Sequence, residues 1–164
     1  MKKVMTITGN AIKEPQNLRV RTGTNFRELI EEVGGFTSEP EKIIAGGPMM
    51  GIPLISLDVP VVKTSSAILC MTKDEVAACE ETACINCGRC VSVCPGRIIP
   101  AKLADYAKRH DKESFEKANG MECCECGCCS YICPAKRPLT QYIKSMRKMV
   151  LADRKKVAQR GNGK

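Results

Sequence analysis

The sequence predicts an α+β chain in two parts, a small mixed-sheet unit and then a mostly helical, cysteine-rich unit. Two observations carry this. Residues 1–71 alternate short β-rich runs with Gly and Pro punctuation around one helical stretch. From Cys84 onward the chain changes character, with two cysteine-dense segments separated by a connector of helical periodicity.

The elements follow in order. Val4–Thr8 is short and β-rich, and Leu18–Arg21 alternates as a strand does. Thr24 is placed to cap a helix that carries Phe26, Leu29, Ile30 and Val33 at helical spacing and ends at Gly34-Gly35. Strands are expected at Lys42–Ala45, Pro60–Lys63 and Ala67–Met71, which completes a first domain over residues 1–71. Residues 72–83 are acidic and read as a linker. Residues 84–137 form the cysteine-rich domain, with a helical connector over 97–119. There Pro100 suits a helix start, Leu103, Tyr106 and Ala107 share a face, and Asp111 can cap a second short helix through Phe115. A last helix is expected from Pro138 to about Ala158, with Leu139, Tyr142, Ile143, Met146, Val150 and Leu151 on its apolar side, in a basic helix and tail over 138–164.

Composition limits how such a chain is held together. It has 164 residues, no Trp, three Tyr and three Phe, so its cores must be built from aliphatic side chains. Burial alone stabilises small domains only modestly. The twelve Cys imply either disulfides or metal, and the compartment decides between them. The start, Met1-Lys2-Lys3-Val4-Met5-Thr6, is no secretory leader, and no run approaches the ~18 apolar residues of a membrane span. A cytosolic chain with reduced, metal-binding cysteines is expected.

Charge is unevenly placed. Residues 135–164 hold ten Lys or Arg against the single Asp153, whereas residues 1–134 are near neutral. A polybasic tail suits nucleic acid, an anionic membrane or an acidic protein. It lacks interleaved aromatics for base stacking, which argues against nucleic acid. Lys144, Arg147, Lys148, Arg154, Lys155 and Lys156 are expected to face outward from the last helix, docking the chain peripherally at a membrane or on a partner.

The cysteines carry the chemistry. Cys84, Cys87, Cys90 and Cys94 follow C-x2-C-x2-C-x3-C, with Pro95 next. Cys123, Cys126, Cys129 and Cys133 repeat the pattern at an offset of 39 residues, with Pro134 next and Gly127 at the place of Gly88. Three thiolates spaced three apart on a tight loop reach three corners of a cubane, and the fourth is turned away toward a second cluster. The expected sets for two [4Fe–4S] clusters are therefore Cys84, Cys87, Cys90 and Cys133 for one, and Cys123, Cys126, Cys129 and Cys94 for the other. Beginning the second motif at Cys124 would put Gly127 at a ligand position, so Cys124 and Cys128 are spare. Structural zinc is the main alternative, but zinc sites rarely use such triplets followed by Cys-Pro. Disulfides fit these small spacings poorly. Cys70 and Cys79 read as non-ligands and His110 as merely exposed. Gly46–Gly51 could approach a ligand closely, although Gly-Pro turns are common everywhere.

The two motifs, together with Thr6–Gly9, Gly23-Thr24, Gly46–Gly51, Lys63–Ser66 and Cys129–Leu139, resemble the C subunit of the Rnf ion-translocating ferredoxin:NAD oxidoreductase family over nearly the whole chain. The resemblance implies a soluble-ligand-binding β-grasp fold for residues 1–71 and a two-cluster ferredoxin-like fold beyond. It implies electron transfer at the cytoplasmic side of a membrane, with other subunits of an electron-transport complex as partners. A soluble carrier serving a cobalamin or proline reductase system is the alternative, with a cytoplasmic location and a redox protein as partner. The large flavin- and NADH-binding domain of that family has no counterpart here. No flavin or NAD site and no catalysis by this chain alone are expected.

Overall fold

The computed structural model describes residues 1–73 and 79–161 and divides the chain into two compact units, Met1–Cys79 and Glu80–Lys164. The linker read at 72–83 lies partly outside the described residues.

The first unit is a five-stranded mixed sheet in the order β2-β1-β5-β3-β4, formed by β1 (Lys2–Thr8), β2 (Gln16–Arg21), β3 (Lys42–Ala45), β4 (Ile52–Leu54) and β5 (Ala67–Met71). The central pair β1 and β5 is parallel, and the other neighbours are antiparallel. Alternation along β1 puts Met5 and Ile7 in the core while Val4 stays exposed. The helix α1 (Phe26–Glu32) contributes Phe26, Leu29 and Ile30 to the same core, beside Val20, Val61, Ile68 and Cys70. Its cap is Asn25, not Thr24: the Asn25 side-chain oxygen accepts from the Arg27 N–H at 2.9 Å.

Two other local expectations are corrected. Residues 60–63 form no strand; Pro60 makes one isolated bridge with Asn25, and Val61 exchanges backbone hydrogen bonds of 2.8 Å with Gly23 and Thr24. Pro60 has no N–H for a ladder, and the segment instead buries Val61. The unforeseen strand β4 contains Pro53, which is tolerated because β4 is an edge.

The second unit repeats itself. The short helices α2 (Arg89–Ser92) and α5 (Cys128–Tyr131) occupy positions 39 residues apart, as do the first residues of α3 (Pro100–Lys108) and α6 (Leu139–Gly161). The backbone follows the same offset, for φ is positive at Asn86 and Glu125, at Gly88 and Gly127, and at Arg97 and Lys136. Two copies of one supersecondary unit thus face each other, with α3 and α6 as the packed pair. Helix α4 (Lys112–Lys117), capped by Asp111 through the Ser114 N–H at 3.0 Å, closes the connector. The core joins Ile98, Leu103, Ala107 and Phe115 to Ile143, Met146 and Val150 of α6. Each fully buried aliphatic side chain is worth about 1.5–3 kcal/mol.

The outward basic face of α6 is also corrected. Arg147 pairs with Glu125, Lys144 lies 3.6 Å from the same carboxylate, and Arg154 pairs with Glu116 at 2.5 Å. Acidic residues of the cysteine-rich unit hold these three cations and leave Lys144 and Arg147 half-buried, whereas Arg154, Lys148, Lys155 and Lys156 are exposed as expected. Leu151, expected on the apolar side, is exposed as well.

Candidate metal centres

Each cysteine loop is shaped by its own local sequence. Gly88 and Gly127 stand at the N-termini of α2 and α5 with φ of 73° and 84°, a left-handed conformation that costs an L-residue roughly 1–2 kcal/mol. These turns bend each Cys-x-x-Cys segment back on itself. Pro95 and Pro134 follow the fourth cysteines and end each short helix.

The structure sorts the eight motif cysteines into two groups of four, and each group draws on both motifs. Cys84, Cys87, Cys90 and Cys133 line one cavity with Ile85, Ile99 and Arg137. Cys123, Cys126, Cys129 and Cys94 line the other with Ile98, Pro100 and Ile143. The first cavity is the more open: Cys84 and Cys87 are exposed, whereas Cys129 is buried and the other members of the second set are half-buried.

Burial pushes up the thiols of Cys129 and Cys123, against hydrogen bonding by Thr140 to the former and by the Glu125 N–H to the latter. The Cys129 sulfur lies 3.3 Å from the Thr140 hydroxyl, and the Glu125 N–H donates to the Cys123 sulfur at 3.4 Å. At the first cavity the Cys84 thiol donates to the Asn86 side-chain oxygen at 3.6 Å. A bound metal would deprotonate such thiols outright.

Among the described residues, no three His, Cys, Asp or Glu side chains converge as on a single metal ion. Four thiols around each cavity, three from one motif and one from the other, are the ligand complement of a [4Fe–4S] cluster. The donor sets therefore fit iron–sulfur clusters.

Four cysteines are outside the two motif sets. Cys124 is at the wall of the second cavity, at the position that Ile85 has in the first, and Cys128 lines neither. Cys70 is fully buried in the sheet unit, and burial pushes its thiol up to about 11. Cys79 and His110 are exposed.

One residue escaped the reading of the sequence. Arg137 looks there like part of the basic tail, yet it is 5% exposed and lines the first cavity. Asp105 accepts from its Nη2 at 2.6 Å, and Glu81 lies 3.5 Å from its Nε. Glu81 also accepts from Lys108 at 2.5 Å and from the Tyr142 hydroxyl at 2.8 Å. Lys108 in particular holds the Glu81 carboxyl below the usual carboxylate range. The available signal was the repeat: Arg137 stands 39 residues beyond Ile98, so a charge replaces an apolar residue at equivalent places.

Comparison with known proteins also points to iron–sulfur clusters. Residues 83–136 match the 4Fe-4S dicluster domain family, and residues 4–53 match the SLBB domain family. The chain is 46% identical over 155 residues to the C subunit of the Na(+)-translocating ferredoxin:NAD(+) oxidoreductase complex of Acetobacterium woodii, covering 94% of this chain and 35% of that one. It is 47% identical over 148 residues to the proton-translocating counterpart of Clostridium ljungdahlii, covering 90% of this chain and 32% of that one. Over most of its length this chain matches the family of C subunits of ion-translocating oxidoreductase complexes. It spans about a third of the length of the curated relatives it matches. The C subunit of the ion-translocating oxidoreductase complex of Rhodobacter capsulatus shares 45% identity over 139 residues, 85% of this chain and 27% of the relative. Among the described residues no helix is long and apolar enough to cross a membrane.

Proposed function

We propose that this chain relays single electrons within an ion-translocating oxidoreductase complex, through two [4Fe–4S] clusters held by crossed cysteine sets. Cys84, Cys87, Cys90 and Cys133 hold one, and Cys123, Cys126, Cys129 and Cys94 hold the other. The single observation that carries the reading is the grouping of the eight cysteines, in which each motif lends its fourth member to the cavity of the other. Bound there, the clusters supply one-electron redox chemistry.

The residues of the chain do the rest. Crossed ligation staples the two repeats, so that the α3–α6 pair and the cavities form together. Ile98, Pro100 and Ile143 keep water from the inner cavity, while the outer one stays open to a redox partner. The partners on this reading are other subunits of the complex, and the exposed Lys148, Lys155 and Lys156 dock the unit peripherally at the membrane.

The test is anaerobic iron and sulfide analysis with EPR of the dithionite-reduced chain. Two cubane clusters require eight irons per chain, and two interacting reduced centres are expected. Stoichiometric zinc, or a single cluster, would overturn the reading.

A further inference from the structure

The two cavities are copies of one design, so the places where they differ carry information. Position by position at the offset of 39, Cys84 answers to Cys123, Cys87 to Cys126, Cys90 to Cys129 and Cys133 to Cys94. Beyond the ligands the lining diverges in charge at two places: the exposed Arg89, whose counterpart Cys128 lines neither cavity, and the buried Arg137, whose counterpart Ile98 lines the inner one.

Arg137 is built in rather than stranded. Its Nη2 and Nε are taken by Asp105 and Glu81, while Nη1 is buried with no partner among the described residues. A buried guanidinium N–H without an acceptor is costly, and such groups ordinarily find one. The side chain lines the cavity that the four thiols surround. Acceptor sulfurs in that cavity would complete its hydrogen bonding.

We propose that Arg137 donates its Nη1–H to a sulfur of the cluster in the outer cavity, and thereby makes that cluster the more easily reduced of the two. The inference rests on the two-cluster reading above. Reduction adds one negative charge to a cluster, and a fixed buried cation with a free donor stabilises the reduced form more than the oxidised one. Ile98 offers the inner cluster neither charge nor donor, and Arg147, whose Nε is likewise buried without a partner among the described residues, lines neither cavity. Asp105 and Glu81 hold the other nitrogens of the fork, and no acceptor among the described residues takes Nη1. Arg137 is thus a tuning residue that acts on the cluster without ligating it.

The experiment is a redox titration, followed by EPR, of the full chain assembled anaerobically with iron and sulfide. In the parent protein two separate reduction steps are expected. Arg137→Ile, which copies the inner site, lowers the higher step and narrows the gap while the lower step stays. A shift of about tenfold in the oxidised-to-reduced ratio at fixed potential, ~59 mV for a one-electron couple, is the expected size. Arg137→Gln keeps an N–H donor without the charge, and its higher step falls by less. Arg154→Gln, remote from both cavities, moves neither step. Should Arg137→Ile fail to assemble, Arg137→Gln decides alone: a lowered upper step upholds the proposal and an unchanged one overturns it. Loss of the outer cluster in both variants would make Arg137 a purely structural strut and also overturn the proposal. A parent chain that assembles no pair of clusters would defeat the two-cluster reading itself, a separate result.

Discussion

At the scale of the residue, the fourth cysteine of each motif separates crossed from uncrossed ligation. Cys133 lines the cavity of Cys84, Cys87 and Cys90, and Cys94 that of Cys123, Cys126 and Cys129. Cys133→Ala is expected to lose or degrade the outer cluster first and Cys94→Ala the inner one, with the iron content of each falling toward half. Uncrossed ligation reverses the assignment, and EPR of the remaining centre tells the two apart. Cys70 behaves oppositely. Its thiol is fully buried and held near 11 from an ordinary 9.0, so at about pH 8 only about one molecule in a thousand carries the reactive thiolate. It should resist iodoacetamide in the folded chain and react once the chain is unfolded, as read by mass spectrometry. The sign of the linkage is fixed as well. The folded thiol keeps its proton where the unfolded one has lost it, so its contribution to stability falls as pH rises from 9.0 toward about 11.

At the scale of the element, the cysteine loops depend on two left-handed turns and the connector on one cap. Gly88→Ala and Gly127→Ala force an L-residue into a positive φ, and each should weaken its loop by about 1–2 kcal/mol. The measurement is the rate of cluster loss under chelator, faster at the outer site for the first and at the inner site for the second. Asp111→Ala removes the side chain that accepts from the Ser114 N–H and should cost about 1 kcal/mol in chemical denaturation. Ile143→Ala opens a void where α6 meets α3 and the inner cavity, and a loss of about 2–5 kcal/mol is expected there.

At the scale of the whole molecule, the division into two units has a direct consequence. All eight motif cysteines, both cavities and the Arg137–Asp105–Glu81 network lie within Glu80–Lys164. A fragment of residues 80–164 should therefore bind as much iron as the full chain, whereas one ending at Lys117 should assemble no stable cluster, because each ligand set would be broken. Equal iron retention by the shorter fragment would refute the crossing. The charge on α6 is more modest in effect than its composition suggests, since Glu125 and Glu116 take up Arg147, Lys144 and Arg154. Lys148, Lys155 and Lys156 are exposed candidates for docking, each worth about 1 kcal/mol near an anionic bilayer. Their joint replacement by Gln should weaken binding to anionic vesicles roughly a hundredfold at low salt. No change with substitution or with salt would remove the membrane from the account.

The sequence by itself determined the features that depend on neighbours along the chain. The 39-residue repeat, the cysteine spacing, Pro100 at a helix start, Asp111 as a cap and the strands at Lys42–Ala45 and Ala67–Met71 are all local, and local chemistry is written in order. What it left open depended on partners distant in the chain. Residues 60–63 have β composition but form no strand, because Pro60 cannot donate and Val61 finds its partners at Gly23 and Thr24. Arg147 reads as a surface cation until Glu125, 22 positions away, takes it up. Arg137 reads as one more basic residue of a tail, and only the fold brings Asp105 and Glu81 around it and turns it to the cysteine cavity. A charged side chain declares its burial through the groups that compensate it, and those groups are assembled by tertiary structure alone.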